Sequence, residues 1–174
     1  MKRAALAAGV LALAALGCRR PPDPLRTLEA ILQSRNDNDP RLDTDFNTLS
    51  VEARRLFRER YRQIAPERRN ERGTIVYLLG KNLRDDEDWA FLREVVSEPP
   101  CLSLADCAKP STGPAEMGDE VTLAYPALVA LKQAQRALEQ GASVQARGVI
   151  ADAKVSRARA VVKLAAALDR RSPP

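Results

Sequence analysis

The stretch that decides the fold runs from residue 73 to residue 98 and reads GTIVYLLGKNLRDDEDWAFLREVVSE. Its apolar residues recur at helical steps on both sides of Gly80-Lys81-Asn82, which indicates two helices joined by a short turn. The acidic run at 85–88 suits the start of the second helix, because carboxylates complement the positive end of the helix dipole. Pro99 and Pro100 end that helix, since the residue before a proline is biased away from helical geometry.

The same helical period extends outward from this pair in both directions. No stretch alternates with a period of two, so the predicted fold class is all-α, with five or six helices in antiparallel pairs. Pro126 is expected to kink its helix or to reset its start. The predicted helices are 25–34, a helix capped by Thr48 or Ser50 and ending near Gln63, one from Pro66 to Asn82, 85–98, 119–140 and one from Ser143 to near the C-terminus.

The first 17 residues form a targeting segment rather than part of the fold. Lys2 and Arg3 precede an apolar run over 4–16, which is shorter than the roughly 20 residues that a membrane-spanning helix needs. The run closes with Ala15-Leu16-Gly17-Cys18, which resembles the lipobox of bacterial lipoproteins but departs from its usual order at the first two positions. The resemblance implies cleavage before Cys18 and lipid on its sulphur. The alternative is an ordinary secretory signal with a coincidental cysteine, which also predicts export.

The residues after Cys18 set the expected location. The next residue is Arg19, and the lipoprotein resemblance implies the outer rather than the inner membrane, because aspartate there is the enterobacterial retention signal. Prolines at 21, 22 and 24 predict a stiff tether. We therefore expect a lipid-anchored domain of the bacterial envelope that faces the periplasm. The predicted boundaries are a signal peptide at 1–17, a lipidated cysteine and tether at 18–24, one helical domain at 25–171 and a loose tail at 172–174.

If Cys18 carries lipid, Cys101 and Cys107 are the two cysteines that remain. An even remainder in an exported protein predicts a disulfide, here closing a short loop. A metal pair is disfavoured because the sequence has no histidine and no second cysteine pair. The spacing also differs from the C-x-x-C of redox motifs.

Composition argues against catalysis. The absence of histidine excludes Ser-His-Asp and Cys-His arrangements, and the acidic run at 85–88 lacks the spacing of a glycosidase pair. The loop Asp43-x-Asp45-x-Asn47 opens like a calcium loop, but Thr48 and Arg54 stand where glycine and glutamate are required. Gly80-Lys81 lacks phosphate-loop spacing. We therefore expect no enzymatic activity, no cofactor and no metal.

A second resemblance covers roughly residues 50–140. The run at 71–100, ERGTIVYLLGKNLRDDEDWAFLREVVSEPP, and the run at 121–135, VTLAYPALVALKQAQ, resemble the helices of HEAT-type repeats. The resemblance implies stacked helix pairs that present an extended face to a protein partner, and it implies no catalytic residue. The loop at 101–118 interrupts the pattern and no clean period survives, so an irregular helical bundle is the alternative to a short HEAT-like stack.

A binding face is expected in the groove between helices 68–82, 87–98 and 119–140. Trp89 or Tyr77 would anchor a protein partner there if its ring is exposed, and each would be a core residue if it is not.

The alternative function is structural, with basic helices docking on anionic headgroups or envelope polymers. Residues 51–72 carry eight arginines against four glutamates, and Arg58, Arg62 and Arg69 are the candidate contacts. A solvated helix face would show the same excess of charge. Cleavage before Cys18 would remove Lys2 and Arg3 and lower the formal net charge of the chain from +5 to +3. Export and sparse aromatic residues argue against nucleic acid as the partner.

Overall fold

The computed structural model describes residues 23–113 and 118–171, and within these ranges every regular element is an α-helix. This confirms the predicted all-α fold. The lipobox, Cys18 and the tail at 172–174 lie outside the described residues. None of the helices described is long and apolar enough to cross a bilayer. In chain order they are α1 (Pro24–Ser34), α2 (Arg41–Thr44), α3 (Val51–Gln63), α4 (Arg69–Gly80), α5 (Asp86–Ser97), α6 (Asp119–Leu123), α7 (Tyr125–Glu139), α8 (Ser143–Lys154) and α9 (Arg159–Arg171).

Short polar side chains fix the starts of α3 and α5. Ser50, one of the two predicted caps, accepts a hydrogen bond from the backbone N–H of Ala53 at 3.1 Å. At α5 the side chain of Asp85 accepts from the backbone of Asp88 at 3.1 Å, and the Asp88 side chain accepts in return from the backbone of Asp85. This reciprocal capping box satisfies N–H groups that a helix start otherwise leaves without partners.

Helix α7 lies at the centre of a bundle and contacts α4, α5, α8 and α9. On the other side of α4, aromatic side chains join segments that are distant in the sequence. The rings of Phe46 and Phe57 meet edge to face with centroids 5.7 Å apart, and those of Tyr61 and Phe91 do so at 5.0 Å. All four side chains are buried, so each pair adds directional contact to its hydrophobic burial.

The predicted groove between helices 68–82, 87–98 and 119–140 is largely closed, because α4, α5 and α7 pack directly on one another and leave between all three only a cavity of about 40 Å³, lined by residues that include Arg72, Val95 and Ala127. Their apolar faces are buried, as at Ile75, Leu92 and Leu131. The contact is tight where Gly80 faces α7, since a Cβ there would lie 2.2 Å from Cγ of Gln133. The apolar period that suggested a binding face therefore marks the core.

The last predicted helix is in fact two. The chain turns at 155–158, where the hydroxyl of Ser156 accepts from the backbone N–H of Ala158 at 3.3 Å. The turn folds α9 back on α8, so that Val149 and Val161 enter the same core. The sequence carries no glycine or proline at this turn, which is why its pattern reads as continuous.

Other helix boundaries differ less from the prediction. The segment at 119–140 divides at Ala124 into α6 and α7, and Pro126 lies in the first turn of α7, so proline resets the helix rather than kinking it. Helix α4 begins at Arg69 instead of Pro66, and the segment at 35–47, which lies between the first two predicted helices, contains the short α2.

Cys101 and Cys107 form a disulfide, in agreement with the predicted pairing. The loop that it closes is fastened to the start of α4. Arg69 donates through Nη2 to the carbonyl oxygen of Leu104 at 2.7 Å, and Glu67 accepts from the backbone N–H of Cys107 at 3.0 Å. The covalent link and these two contacts hold the loop against the bundle.

Candidate binding groove

Two adjoining cavities of about 380 and 330 Å³ lie over the outer face of α4 and share Asp37 and Thr74. We call them together the α4 groove. The larger is its charged end, with a lining that includes Arg35, Asp37, Glu67, Arg68, Glu71 and Thr74. The smaller is its tyrosine end, with a lining that includes Asp37, Asp39, Asp43, Thr74, Tyr77 and Tyr125.

The loop between α1 and α3 forms one wall of the groove, and side chains from the end of α4 hold it in place. Tyr77 donates its hydroxyl to Asp43 at 3.0 Å, and the ammonium of Lys81 lies 3.2 Å from the same carboxylate. Asn82 accepts from the backbone of Leu49 and donates to the carbonyl of Phe46, both at 2.8 Å. These contacts join residues more than thirty positions apart.

The hydrogen bonds also set the charge of this wall. Lys81 and then Tyr77 hold the pKa of the Asp43 carboxyl below its usual value. Asp39 is held ionised by Arg41, whose side chain and backbone both donate to it, and its pKa falls to about 2. Asp39 and Asp43 therefore stay charged to a lower pH than unpaired aspartates do.

Tyr125, the first residue of α7, forms the opposite wall. Its ring lies against Gly73 of α4, where a Cβ would come within 2.3 Å of Cε1, so the close approach depends on glycine. The side chain is 39% exposed. Partial burial, and then the nearby charge of Asp37, raise the pKa of its phenol above the usual value.

The charged end has a mixed lining. Arg68 pairs with Glu71 at 3.1 Å, while Arg35 takes a left-handed backbone conformation at the end of α1. Arg68 also stands at the start of α4 without supplying a side-chain cap. Because it carries both arginines and glutamates, the charged end can bind acidic or basic groups.

The two aromatic residues predicted to bind a partner have different positions. Tyr77 lines the groove and is partly buried, with its hydroxyl engaged by Asp43 and the ammonium of Lys81 5.2 Å from its ring centroid. Trp89 lies on α5, outside the groove, and packs half-buried against the core. Of the two residues, Tyr77 lines the α4 groove and Trp89 does not.

The three candidate arginines do not form one surface. Arg58 is buried and binds Asp88, and Arg69 is buried beneath the disulfide loop. Only Arg62 is exposed, and both its Nε and Nη2 donate to Glu94, at 2.9 and 2.6 Å. Burial removes Arg58 and Arg69 from any headgroup contact, because their guanidinium groups are used inside the fold. Their partners are distant in sequence, which is why a count of charges places them on a solvated face.

The acidic run at 85–88 forms a buried ion cluster with α3. The side chain of Asp88 is fully buried, and it accepts from Arg58 at 2.5 Å and pairs with Arg54 at 2.9 Å. Arg54 also reaches Asp85 at 2.6 Å, and Arg58 reaches Glu87 at 2.6 Å. Loss of solvent raises the pKa of Asp88, against the pull of its donors. A carboxylate enclosed in this way has no access to a substrate.

The calcium-like spacing at 43–47 is used for turn contacts. Asp43 points to α4 and binds Lys81 and Tyr77, while Asp45 accepts from the hydroxyl of Thr44 at 2.8 Å. In the residues described, no three histidine, cysteine, aspartate or glutamate side chains are grouped in a way that could hold a metal ion.

Sequence reasoning missed Tyr125 and Asp37 as groove residues. Gly73 was the available signal, since a glycine inside a predicted helix can mark a close approach of another element. The chain matches no protein-family model, no curated protein and no solved structure.

Proposed function

We propose that this protein is a lipid-anchored, non-enzymatic binding module of the bacterial envelope, and that the α4 groove holds an extended segment of a protein partner. The observation that carries the proposal is the groove itself. Two cavities join over one helix, with an aromatic wall and charged side chains at both ends. A few polar groups placed along a partly apolar cleft are typical of a recognition site.

The state of the acidic residues supports binding over catalysis. The buried carboxylate of Asp88 is enclosed by arginines, and those of Asp39 and Asp43 on the groove wall are each paired with a cation. A general acid or base needs a proton that a substrate can reach. These groups instead fix the positions of helices and of the loop.

The anchor is tested by growing cells with labelled palmitate and comparing the natural chain with Cys18→Ala. We expect label only in the natural chain, because the lipobox resemblance implies acylation of that sulphur. Absence of label would refute the anchor and leave an exported helical protein.

The groove is tested by photo-crosslinking. A benzoylphenylalanine at Asn38, in the tyrosine end, should give a discrete crosslinked partner, whereas the same residue at Val144, exposed on α8, should not. Thr74→Trp would fill the point where the two cavities meet, and it should abolish the crosslink. Equal yield at both positions, or a crosslink that survives Thr74→Trp, would count against a groove-bound partner.

A second candidate function is docking on an anionic envelope surface. At the turn between α8 and α9, Val155 is 84% exposed and stands beside Arg157, which is exposed, and Lys154, which is exposed and pairs with Asp169 at 2.7 Å. An apolar side chain among basic ones suits the interface of an anionic bilayer. Sedimentation of the Cys18→Ala chain with vesicles containing phosphatidylglycerol tests this, with Arg157→Gln as the variant. Binding that falls with salt and with this substitution would favour it, and equal binding to neutral vesicles would not.

A further inference from the structure

The lining of the tyrosine end has an unbalanced charge. Of the residues that the structure describes, its lining contains Asp37, Asp39 and Asp43 but no lysine or arginine. Asp39 is paired with Arg41 at 2.7 Å, and Asp43 with Lys81 at 3.2 Å. Among the described residues, no ion pair or hydrogen bond is made by the side chain of Asp37, which is exposed. One carboxylate at the cavity is therefore left without a counter-ion.

The same cavity offers aromatic surface to a cation. Tyr77 and Tyr125 lie on α4 and α7, and the fold itself places the ammonium of Lys81 5.2 Å from the centroid of Tyr77. Among the residues described, none places a cation over the ring of Tyr125, which lies against Gly73 and is 39% exposed. A positive charge over an aromatic face is attracted by the ring quadrupole.

The position of Asp37 relative to Tyr125 links the two features. Both residues line the same cavity of about 330 Å³. Burial, and then the charge of Asp37, raise the pKa of the Tyr125 phenol, which agrees with this placement. Asp37 also lines the charged end with Arg35 and Arg68, but neither arginine lines the tyrosine end, and among the described residues neither forms an ion pair with Asp37. A cation entering the tyrosine end would therefore meet an aromatic face and a carboxylate together.

We propose that the tyrosine end of the α4 groove binds the guanidinium of an arginine side chain on the partner protein, between the Tyr125 ring and the Asp37 carboxylate. The inference rests on the proposed function, since it names the chemistry of one residue in the bound segment. Arginine fits better than lysine because its planar group stacks on a ring while it donates two parallel hydrogen bonds to a carboxylate. A cavity of about 330 Å³ lies at the lower end of the range for ligand sites, which suits one side chain.

The test uses two probes of nearly equal shape and different charge. Nitrogen-15 spectra of the Cys18→Ala chain are recorded during titration with N-acetylarginine methylamide, and then with its neutral citrulline analogue at the same ionic strength. We expect saturable shifts at residues lining the tyrosine end with the arginine probe and none with citrulline. Equal responses to both probes would overturn the proposal.

Variants locate the contact. Asp37→Asn and Tyr125→Leu should each raise the dissociation constant of the arginine probe by about two- to fivefold, the range for exposed ion pairs and cation–π contacts. Asp45→Asn is the matched control, because Asp45 is an exposed carboxylate on the same loop but outside the cavity lining, and it should bind as the parent does. Retained dispersion of the spectra shows that each variant is folded. Binding that Asp37→Asn leaves unchanged would refute the site.

The outcomes separate this inference from the proposed function. A partner that still crosslinks through Asn38 after Asp37→Asn, with no arginine-specific shift, would leave the groove as a binding site and remove the arginine contact. Arginine-specific shifts in the absence of any crosslinked partner would support the cation site while counting against a protein ligand, and would redirect attention to small guanidinium compounds.

Discussion

Neutralising Asp88 should destabilise the protein more than any change to its exposed acidic neighbours. Its carboxylate is fully buried between the guanidinium groups of Arg54 and Arg58, which are themselves buried. Asp88→Asn keeps the shape of the side chain and removes its charge. Arg54 would retain Asp85, but Arg58 would retain only Glu87, whose side chain is 76% exposed.

The expected magnitude follows from this burial. Loss of solvent raises the pKa of the Asp88 carboxyl and offsets part of the gain from its ion pairs. Asp88→Asn nevertheless leaves two buried guanidinium groups without that carboxylate, and breaking a buried ion pair from one side costs about 3–5 kcal/mol, because the remaining charge stays out of water without compensation. We expect about 3 kcal/mol for Asp88→Asn, since Arg54 keeps a second carboxylate. A domain of this size has a free energy of unfolding of roughly 5–15 kcal/mol, so the loss is a large share of it. Glu87→Gln breaks an exposed pair with the same arginine and should cost about 0–1 kcal/mol.

Urea unfolding of the Cys18→Ala chain measures both variants. Trp89 is the only tryptophan, directly follows Asp88 in the chain and packs against the core, so its fluorescence reports the transition of the bundle and far-ultraviolet circular dichroism reports the loss of helix. Coincident curves justify a two-state free energy. If Asp88→Asn and Glu87→Gln destabilise to within 1 kcal/mol of each other, the buried cluster does not have the role assigned to it.

Three further predictions concern the packing, the loop and the groove wall. Gly80→Ala should lower the free energy of unfolding by about 1–3 kcal/mol, because the new methyl group overlaps the buried stem of Gln133. Gly73→Ala should cost less, since the exposed ring of Tyr125 that it meets can swing away. Equal effects of the two variants in urea unfolding would contradict this difference. Reducing the disulfide should lower the free energy of unfolding by about 2 kcal/mol, the chain-entropy value for a loop this short. An unchanged urea midpoint would show that the contacts of the loop with Glu67 and Arg69 hold it in place without the disulfide. The folded pKa of Asp39, about 2, lies below its unfolded value of about 3.9. The stability contributed by its pair with Arg41 is therefore complete above pH of about 3.9 and is lost as the pH falls toward 2. The stability difference between the parent and Asp39→Asn should shrink over that pH range, and a constant difference would argue against the pair.

Local signals in the sequence predict much of the helical framework. The cap at Ser50, the acidic start at Asp85 and the prolines after α5 each act within one turn of the helix that they bound, so they can be read without the fold. The disulfide follows from a cysteine count. The turn at 155–158 could not be predicted in this way, because it exists only to bring two apolar faces to one core.

The groove depends on contacts that no local pattern contains. Its outer wall is a polar loop that becomes a wall only because Tyr77, Lys81 and Asn82 hold it, and these residues are separated from their partners by more than thirty positions. Arg58 and Arg69 also depend on partners that are distant in the sequence. A basic residue on a predicted helix looks solvated until a distant acceptor is known.

Helix α4 connects the stability of the bundle to the shape of the groove. One face packs on α7 through Gly73 and Gly80, and the outer face carries Tyr77 and the residues that hold the loop. Because Tyr125 starts α7 and also forms the second wall, the width of the tyrosine end is set by the α4–α7 contact itself. The groove is thus preorganised by the core, and a bound segment would have only its own conformational entropy to lose.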